Sequence, residues 1–87
     1  MTQRQFTFDD LRTILREAAG LEDDVLGDDA LEAAFEDLGL ESLALLETGS
    51  RIEREYGITL DDSSLTGSNT PRALMEIVNG ELATAAA

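Results

Sequence analysis

Leu11, Ile14, Leu15 and Ala18 recur at spacings of three and four between Thr7 and Gly20. That period belongs to a helix and rules out a strand over this stretch. Thr7 is placed to cap the helix, Asp9 and Asp10 fall in the first turn where the dipole favours acids, and Gly20 supplies a left-handed stop. The predicted first helix runs from about residue 8 to about 19. The pattern is written twice more. Leu45, Ile52 and Tyr56, with Thr48 and Gly49 between them, mark the inward face of a helix from about Ser42 to Tyr56, stopped by Gly57. Leu43 and Leu46 lie partly off that face. Thr70-Pro71 opens a last helix with a cap and a proline at its first position, and Leu74, Ile77 and Val78 form its stripe. Asn79-Gly80 is expected to end it, with Glu81-Leu82-Ala83 fraying onward. No alternating run is long enough for a strand, so the fold class is all-α.

Between the first two helices lie residues 20–41, rich in acids, with a turn at Gly27. A connection this long is uncommon unless it is pinned or functional. Leu31, Phe35 and Leu38 are expected to pin it, through a short helical turn at 30–36, so that it crosses the bundle. Ile58 and Leu60 read as anchors of the next loop, and residues 61–66 as one helical turn with Leu65 facing inward. The architecture expected is a small four-helix bundle: three main helices, one short helix, and a long crossover between helices one and two. A chain of 87 residues makes a single domain that buries roughly 60–65% of its unfolded surface. Its ordered core is expected at about 6–82 and a mobile tail at about 83–87.

Charge narrows the partners. The formal net charge of −13 repels phosphate backbones and anionic lipid, which argues against nucleic acid and membrane partners and favours basic protein surfaces. No apolar run approaches the roughly 20 residues of a membrane span, and the N-terminus lacks the basic flank and apolar core of a secretion signal. With no cysteine the chain has no disulfide and no thiolate metal site, and the expected compartment is the cytoplasm. A calcium loop fails on register. With Gly27 at the sixth position, Ala33 falls at the twelfth, where a bidentate Glu is needed.

One serine stands out. Gly39 delivers Ser42 to the start of the second helix, beside Glu41. A nucleophilic serine needs a histidine base, or a lysine in rarer variants, and the chain has neither. Its acids lie in loops and on a solvent face, too open to form an acid–base pair. The chain is therefore not expected to be an enzyme, offers no catalytic residue and no specific metal site, and Ser42 reads as a group acted upon from outside. The plain structural alternative is that Ser42 is only a helix N-cap.

Asp37-Leu38-Gly39-Leu40-Glu41-Ser42-Leu43 resembles the Asp-Leu-Gly-x-Asp-Ser-Leu modification motif of acyl carrier proteins. The similarity continues through Leu45-Leu46-Glu47 and Ile52-Glu53-Arg54-Glu55-Tyr56-Gly57. Thr70-Pro71-Arg72-Ala73-Leu74 and Val78-Asn79-Gly80 look like the carriers of bacterial type II (aromatic) polyketide synthases, as do Phe6 to Leu11 and Arg16 to Gly20. The resemblance implies that a phosphopantetheinyl transferase, supplying its own Mg²⁺ and base, joins 4′-phosphopantetheine from CoA to Ser42. It implies malonyl and growing polyketide groups carried as thioesters on that arm. It further implies partners in a malonyl transferase, a ketosynthase with its chain-length factor, and ketoreductase or cyclase enzymes, met by a monomeric carrier. Glu41, Glu47 and Glu53, with Leu43 and Leu46, are the expected docking residues. Thr48 and Gly49 are candidate chain contacts, through room left between helices that loop residues such as Phe35 could equally fill. Arg72 is a further candidate, for carried oxygens or for a nearby acid. Glu41 stands where the family usually has Asp. Service to fatty-acid or amino-acyl chains is the near alternative. A non-covalent acidic docking module, with Ser42 a plain cap, is the distant one. The absence of lysine fits a coding bias toward Arg and Ala, and equally spares reactive acyl groups a nucleophilic amine.

Overall fold

A computed structural model describes residues 5–86, with the side chains of 85 and 86 left aside. Four α-helices follow in order: α1 (Phe8–Ala19), α2 (Ser42–Tyr56), α3 (Asp62–Gly67) and α4 (Pro71–Ala86). No strand occurs among the described residues, and no helix among them is long and apolar enough to cross a membrane. Leu11, Ile14, Leu15, Leu45, Ile52, Leu65, Leu74 and Val78 meet in one core. Thr7 caps α1 reciprocally: its Oγ1 accepts from the Asp10 N–H at 3.2 Å, and the Asp10 carboxylate accepts from the Thr7 N–H at 3.0 Å.

Three contacts fix the helix directions. Phe6, just before α1, sets its ring edge against Tyr56 at the end of α2, centroids 5.2 Å apart and planes at 83°. Glu17 near the end of α1 pairs with Arg51 of α2. Phe6 also meets Asn79 of α4. Hence α1 runs antiparallel to α2, and Ser42 stands at the pole opposite Phe6.

The crossover departs from the single turn expected at 30–36. Three short 3-10 turns occupy it, at Asp23–Val25, Asp28–Glu32 and Phe35–Leu38. Its buried anchors are Leu26, Ala30, Phe35 and Leu40, and Leu38 packs part-buried against them. Leu31 is not an anchor. In a turn of three residues per revolution each residue is rotated about 120° from the last, and Ala30 takes the inward direction. The Phe35 N–H donates to the Asn69 carbonyl at 2.8 Å and ties the crossover to the segment before α4.

Asn79-Gly80 does not stop α4, which continues to Ala86. Ala87, the last residue of the expected tail, lies outside the described residues. Leu82 extends the stripe of Leu74 and Val78 into the core. Burying it contributes about 1.5–3 kcal/mol, against roughly 1 kcal/mol for a glycine inside a helix. The Asn79 side chain is engaged elsewhere. Its Oδ1 accepts from the Phe6 N–H at 2.8 Å and its Nδ2 donates to the Phe6 carbonyl at 3.0 Å, so it does not compete for the helix backbone.

Gly49 of α2 packs against Leu65 of α3. A Cβ built there would overlap Leu65 Cδ1 and stand 3.0 Å from Cδ2 and 3.3 Å from Cγ. Leu65 is 2% exposed, so its side chain has no solvent to retreat into. Helix propensity alone would make Gly49→Ala stabilising by up to about 1 kcal/mol. Overpacking costs roughly 1–3 kcal/mol, and here it prevails. Gly49→Ala is expected to lower stability by about 1 kcal/mol in urea unfolding; a gain in stability would show that Leu65 yields freely.

Candidate functional site

Gly39 ends the third turn of the crossover at φ +85°, a left-handed conformation that glycine adopts without penalty, and redirects the chain into α2. Glu41, not Ser42, is the N-cap residue of α2, extended at φ −83° and ψ 164°, and its side chain makes no capping bond. Ser42 is the first helical residue. Its side chain is exposed and its hydroxyl makes no hydrogen bond among the described residues. The alternative in which Ser42 is a plain cap therefore loses its premise, because this oxygen caps nothing.

The three long helices differ at their starts. Thr7 Oγ1 caps α1, and Thr70 Oγ1 accepts from the Ala73 N–H at 3.2 Å to cap α4. At α2 the first backbone bond runs from Leu45 N–H to the Glu41 carbonyl at 2.9 Å. The N–H groups of Ser42, Leu43 and Ala44 have no acceptor among the described residues, and no acid lies in the first turn. Open N–H groups and the positive end of the helix dipole favour an anion beside Ser42 Oγ. A phosphodiester on that oxygen fits the donor set, and the carboxylate of Glu41 stands outside the helix where it leaves these donors free.

Ser42 also borders a groove of about 490 Å³ whose walls include Phe35, Leu40, Glu41, Leu45 and Ser68. Sequence patterning did not foresee it, since it is assembled from the crossover, α2 and the end of α3.

The expected docking residues divide. Leu43 is 68% exposed beside Ser42, and Leu46 is part-buried against the core. Glu41 and Glu47 are exposed. A four-residue spacing predicts Glu47–Arg51 and Arg51–Glu55 pairs, and only the second forms, at 2.9 Å. Arg51 turns to Glu17 of α1 instead, which leaves the Glu47 carboxylate without an ion-pair partner among the described residues. Glu55 first and Glu17 second raise the Arg51 pKa above its ordinary value, so it is a cation at every physiological pH. Glu53 has structural work. Its Oε2 accepts from the Leu60 N–H at 2.8 Å and pins the loop after α2. It sits 11 positions along α2 from Ser42, about 16 Å away.

The candidate chain contacts also divide. Thr48 is completely buried and its hydroxyl donates to the Ala44 carbonyl at 2.9 Å. The room beside Gly49 is filled by Leu65, neither open nor taken by Phe35. Arg72 pairs with Glu32 of the crossover, the nearby acid of the two readings.

A family described as "Phosphopantetheine attachment site" matches residues 9–78. The chain is 55% identical to the monensin polyketide synthase acyl carrier protein of Streptomyces virginiae over 98% of its length and 97% of the relative's. It is 51% identical to the granaticin polyketide synthase acyl carrier protein of Streptomyces violaceoruber, covering 94% and 98% of the two chains. Its fold superposes on the solution structure of 3-oxo-butyl-ACP from the actinorhodin polyketide synthase of Streptomyces coelicolor with a TM-score of 0.86. The two are 42% identical, and the match covers 97% of this chain and 99% of the other.

Proposed function

Since this chain belongs to the phosphopantetheine attachment-site family, as an acyl carrier protein of the type II polyketide synthase kind, we propose that Ser42 Oγ is the atom that receives its arm. It is a carrier and not a catalyst. One observation carries the assignment: the Ser42 hydroxyl is exposed and unbonded at the one long-helix start that no described side chain caps. An external base can take its proton without breaking any contact of the fold. The N–H groups of Ser42, Leu43 and Ala44 then face the phosphodiester. When attached, the 4′-phosphopantetheine arm supplies the thiol that holds malonyl and growing polyketide groups as thioesters. Tethering raises the concentration of those groups at each partner enzyme.

Glu41, Leu43, Leu46 and Glu47 form the docking surface in this proposal. An exposed leucine between exposed carboxylates suits a basic, partly apolar patch on the transferase, the malonyl transferase, the ketosynthase with its chain-length factor, and later ketoreductase or cyclase enzymes. Glu53 belongs to the loop it pins.

The direct test is intact mass after incubation with CoA, Mg²⁺ and a broad-specificity phosphopantetheinyl transferase. A gain of one arm is expected, and no gain would favour a non-covalent docking module. For the surface, Glu47→Arg on the loaded carrier is expected to slow malonyl loading roughly tenfold at low salt, with the difference shrinking as salt rises. Unchanged loading would make these acids a solvated face only.

A further inference from the structure

Asn79 holds Phe6, but the fold gives its successor, Gly80, nothing to do. Gly80 does not take the left-handed conformation of Gly20, Gly39 and Gly57. A Cβ built on it would meet nothing within 4 Å. It is exposed inside α4, where a glycine only weakens the helix. The chain has two asparagines, and only Asn79 precedes a glycine. That pair has chemistry of its own. With no side chain on Gly80 to hinder it, the Gly80 nitrogen can attack Asn79 Cγ. The N–Cγ bond forms, the Cγ–Nδ2 bond breaks, and the Gly80 amide proton leaves with Nδ2 as ammonia. The product is a five-membered cyclic imide. Solvent water then opens it at Cγ to give aspartate, or at the Asn79 backbone carbonyl to give isoaspartate. Either route turns a neutral amide into a carboxylate.

Two restraints oppose this reaction in the folded chain. α4 keeps the Asn79 backbone helical and engages the Gly80 N–H in its ladder, so ring closure needs a local break in the helix. The clamp holds the carboxamide by both ends, Oδ1 on the Phe6 N–H and Nδ2 on the Phe6 carbonyl. The side chain is thereby turned to Phe6, and its leaving nitrogen is occupied. Phe6 itself belongs to no helix. Besides Asn79, it is held by burial of its ring and by the edge contact with Tyr56. We propose that Asn79-Gly80 is a self-modification site that the Phe6 clamp keeps latent. Each opening of the clamp and of the surrounding turn of α4 exposes the pair to deamidation, and the product cannot close again. Aspartate has no hydrogen to give the Phe6 carbonyl, and isoaspartate also inserts an extra carbon into the backbone of α4. The reaction is a one-way latch, timed by how often this end of the bundle opens.

The test holds the full chain in mildly alkaline buffer, either folded or unfolded in guanidinium chloride, and follows ammonia loss at each asparagine by intact mass and peptide mapping. Asn69 is the internal reference, since the branched side chain of Thr70 hinders the same ring closure. In the unfolded chain Asn79 is expected to convert well ahead of Asn69. In the folded chain its conversion should be slower by roughly tenfold or more, following the fraction of open molecules. Phe6→Leu keeps apolar bulk but loses the ring contact with Tyr56, and should speed conversion in the folded chain several-fold. Denaturant below the unfolding transition should do the same to wild type, and carries the test if that variant does not fold. Gly80→Ala should keep the clamp and suppress conversion in both states. The converted protein, separated by its added negative charge, should melt below its parent. The proposal is overturned if folded and unfolded chains convert Asn79 at the same rate, or if the unfolded chain favours neither asparagine. It is equally overturned if loosening Phe6 leaves the folded rate unchanged, or if the converted protein melts with its parent.

Discussion

Ser42→Ala is expected to abolish attachment of the arm altogether, with no mass gain under conditions that load wild type to completion. With Ser42 Oγ as the proposed acceptor, the substitution removes the atom that forms the bond, so the expected effect on loading is all or none. Its effect on the fold should be negligible. Ser42 Oγ makes no hydrogen bond and its side chain is exposed. Surface changes of that sort stay within about 0.5 kcal/mol. Intact mass and thermal unfolding, measured on the same sample, separate the two consequences. Residual loading in Ser42→Ala would point to a different acceptor hydroxyl, such as the exposed Ser50 or Ser63. A large fall in melting temperature would mean that the hydroxyl holds the start of α2 after all.

Asn79→Ala should produce the largest loss of stability from a single polar side chain. Asn79 satisfies both backbone groups of Phe6, at 2.8 and 3.0 Å, across 73 residues of sequence. Truncation leaves a part-buried N–H and a part-buried C=O without partners, at about 1–1.5 kcal/mol each, or roughly 2–3 kcal/mol together. For a domain of this size that corresponds to a melting temperature lower by about 10–20 °C. Asn79→Asp should be nearly as damaging. It can still accept from the Phe6 N–H, but it can no longer donate to the carbonyl and sets a charge against it. A loss under about 0.5 kcal/mol for Asn79→Ala would show that the chain start is held by Phe6 packing alone.

Much of the bundle was legible because short-range chemistry decides it. The period of Leu11, Ile14 and Leu15, with Thr7 and Gly20 at either end, determines α1 without reference to anything distant. Gly57 and Thr70-Pro71 act in the same local way. Legibility fails where a partner far along the chain overrides the local preference. Asn79-Gly80 is a sound stop signal on its own terms, and it is overruled because Asn79 is occupied by Phe6 and Leu82 has a core to enter. Arg51 has a Glu at both four-residue spacings, yet it leaves Glu47 for Glu17 on another helix. Gly49 is visible as an anomaly inside a helix, but nothing local says that Leu65, 16 residues on, is what it makes room for. At the site, the serine and its flanking acid could be read directly. Its lack of a cap could not: the sequence offers Ser42 as the natural capping residue, and only the backbone shows Glu41 in that place.

The clamp between Phe6 and Asn79 also decides how this carrier can be tethered. It brings the chain's first described turn alongside α4, at the far end of α2 from Ser42. Tyr56 lies 14 positions along α2 from Ser42, about 21 Å. A linker that meets the fold at Phe6 meets it at the pole away from the serine. A fused neighbour or an immobilising surface would hold the molecule by its base and leave the loaded end to swing free.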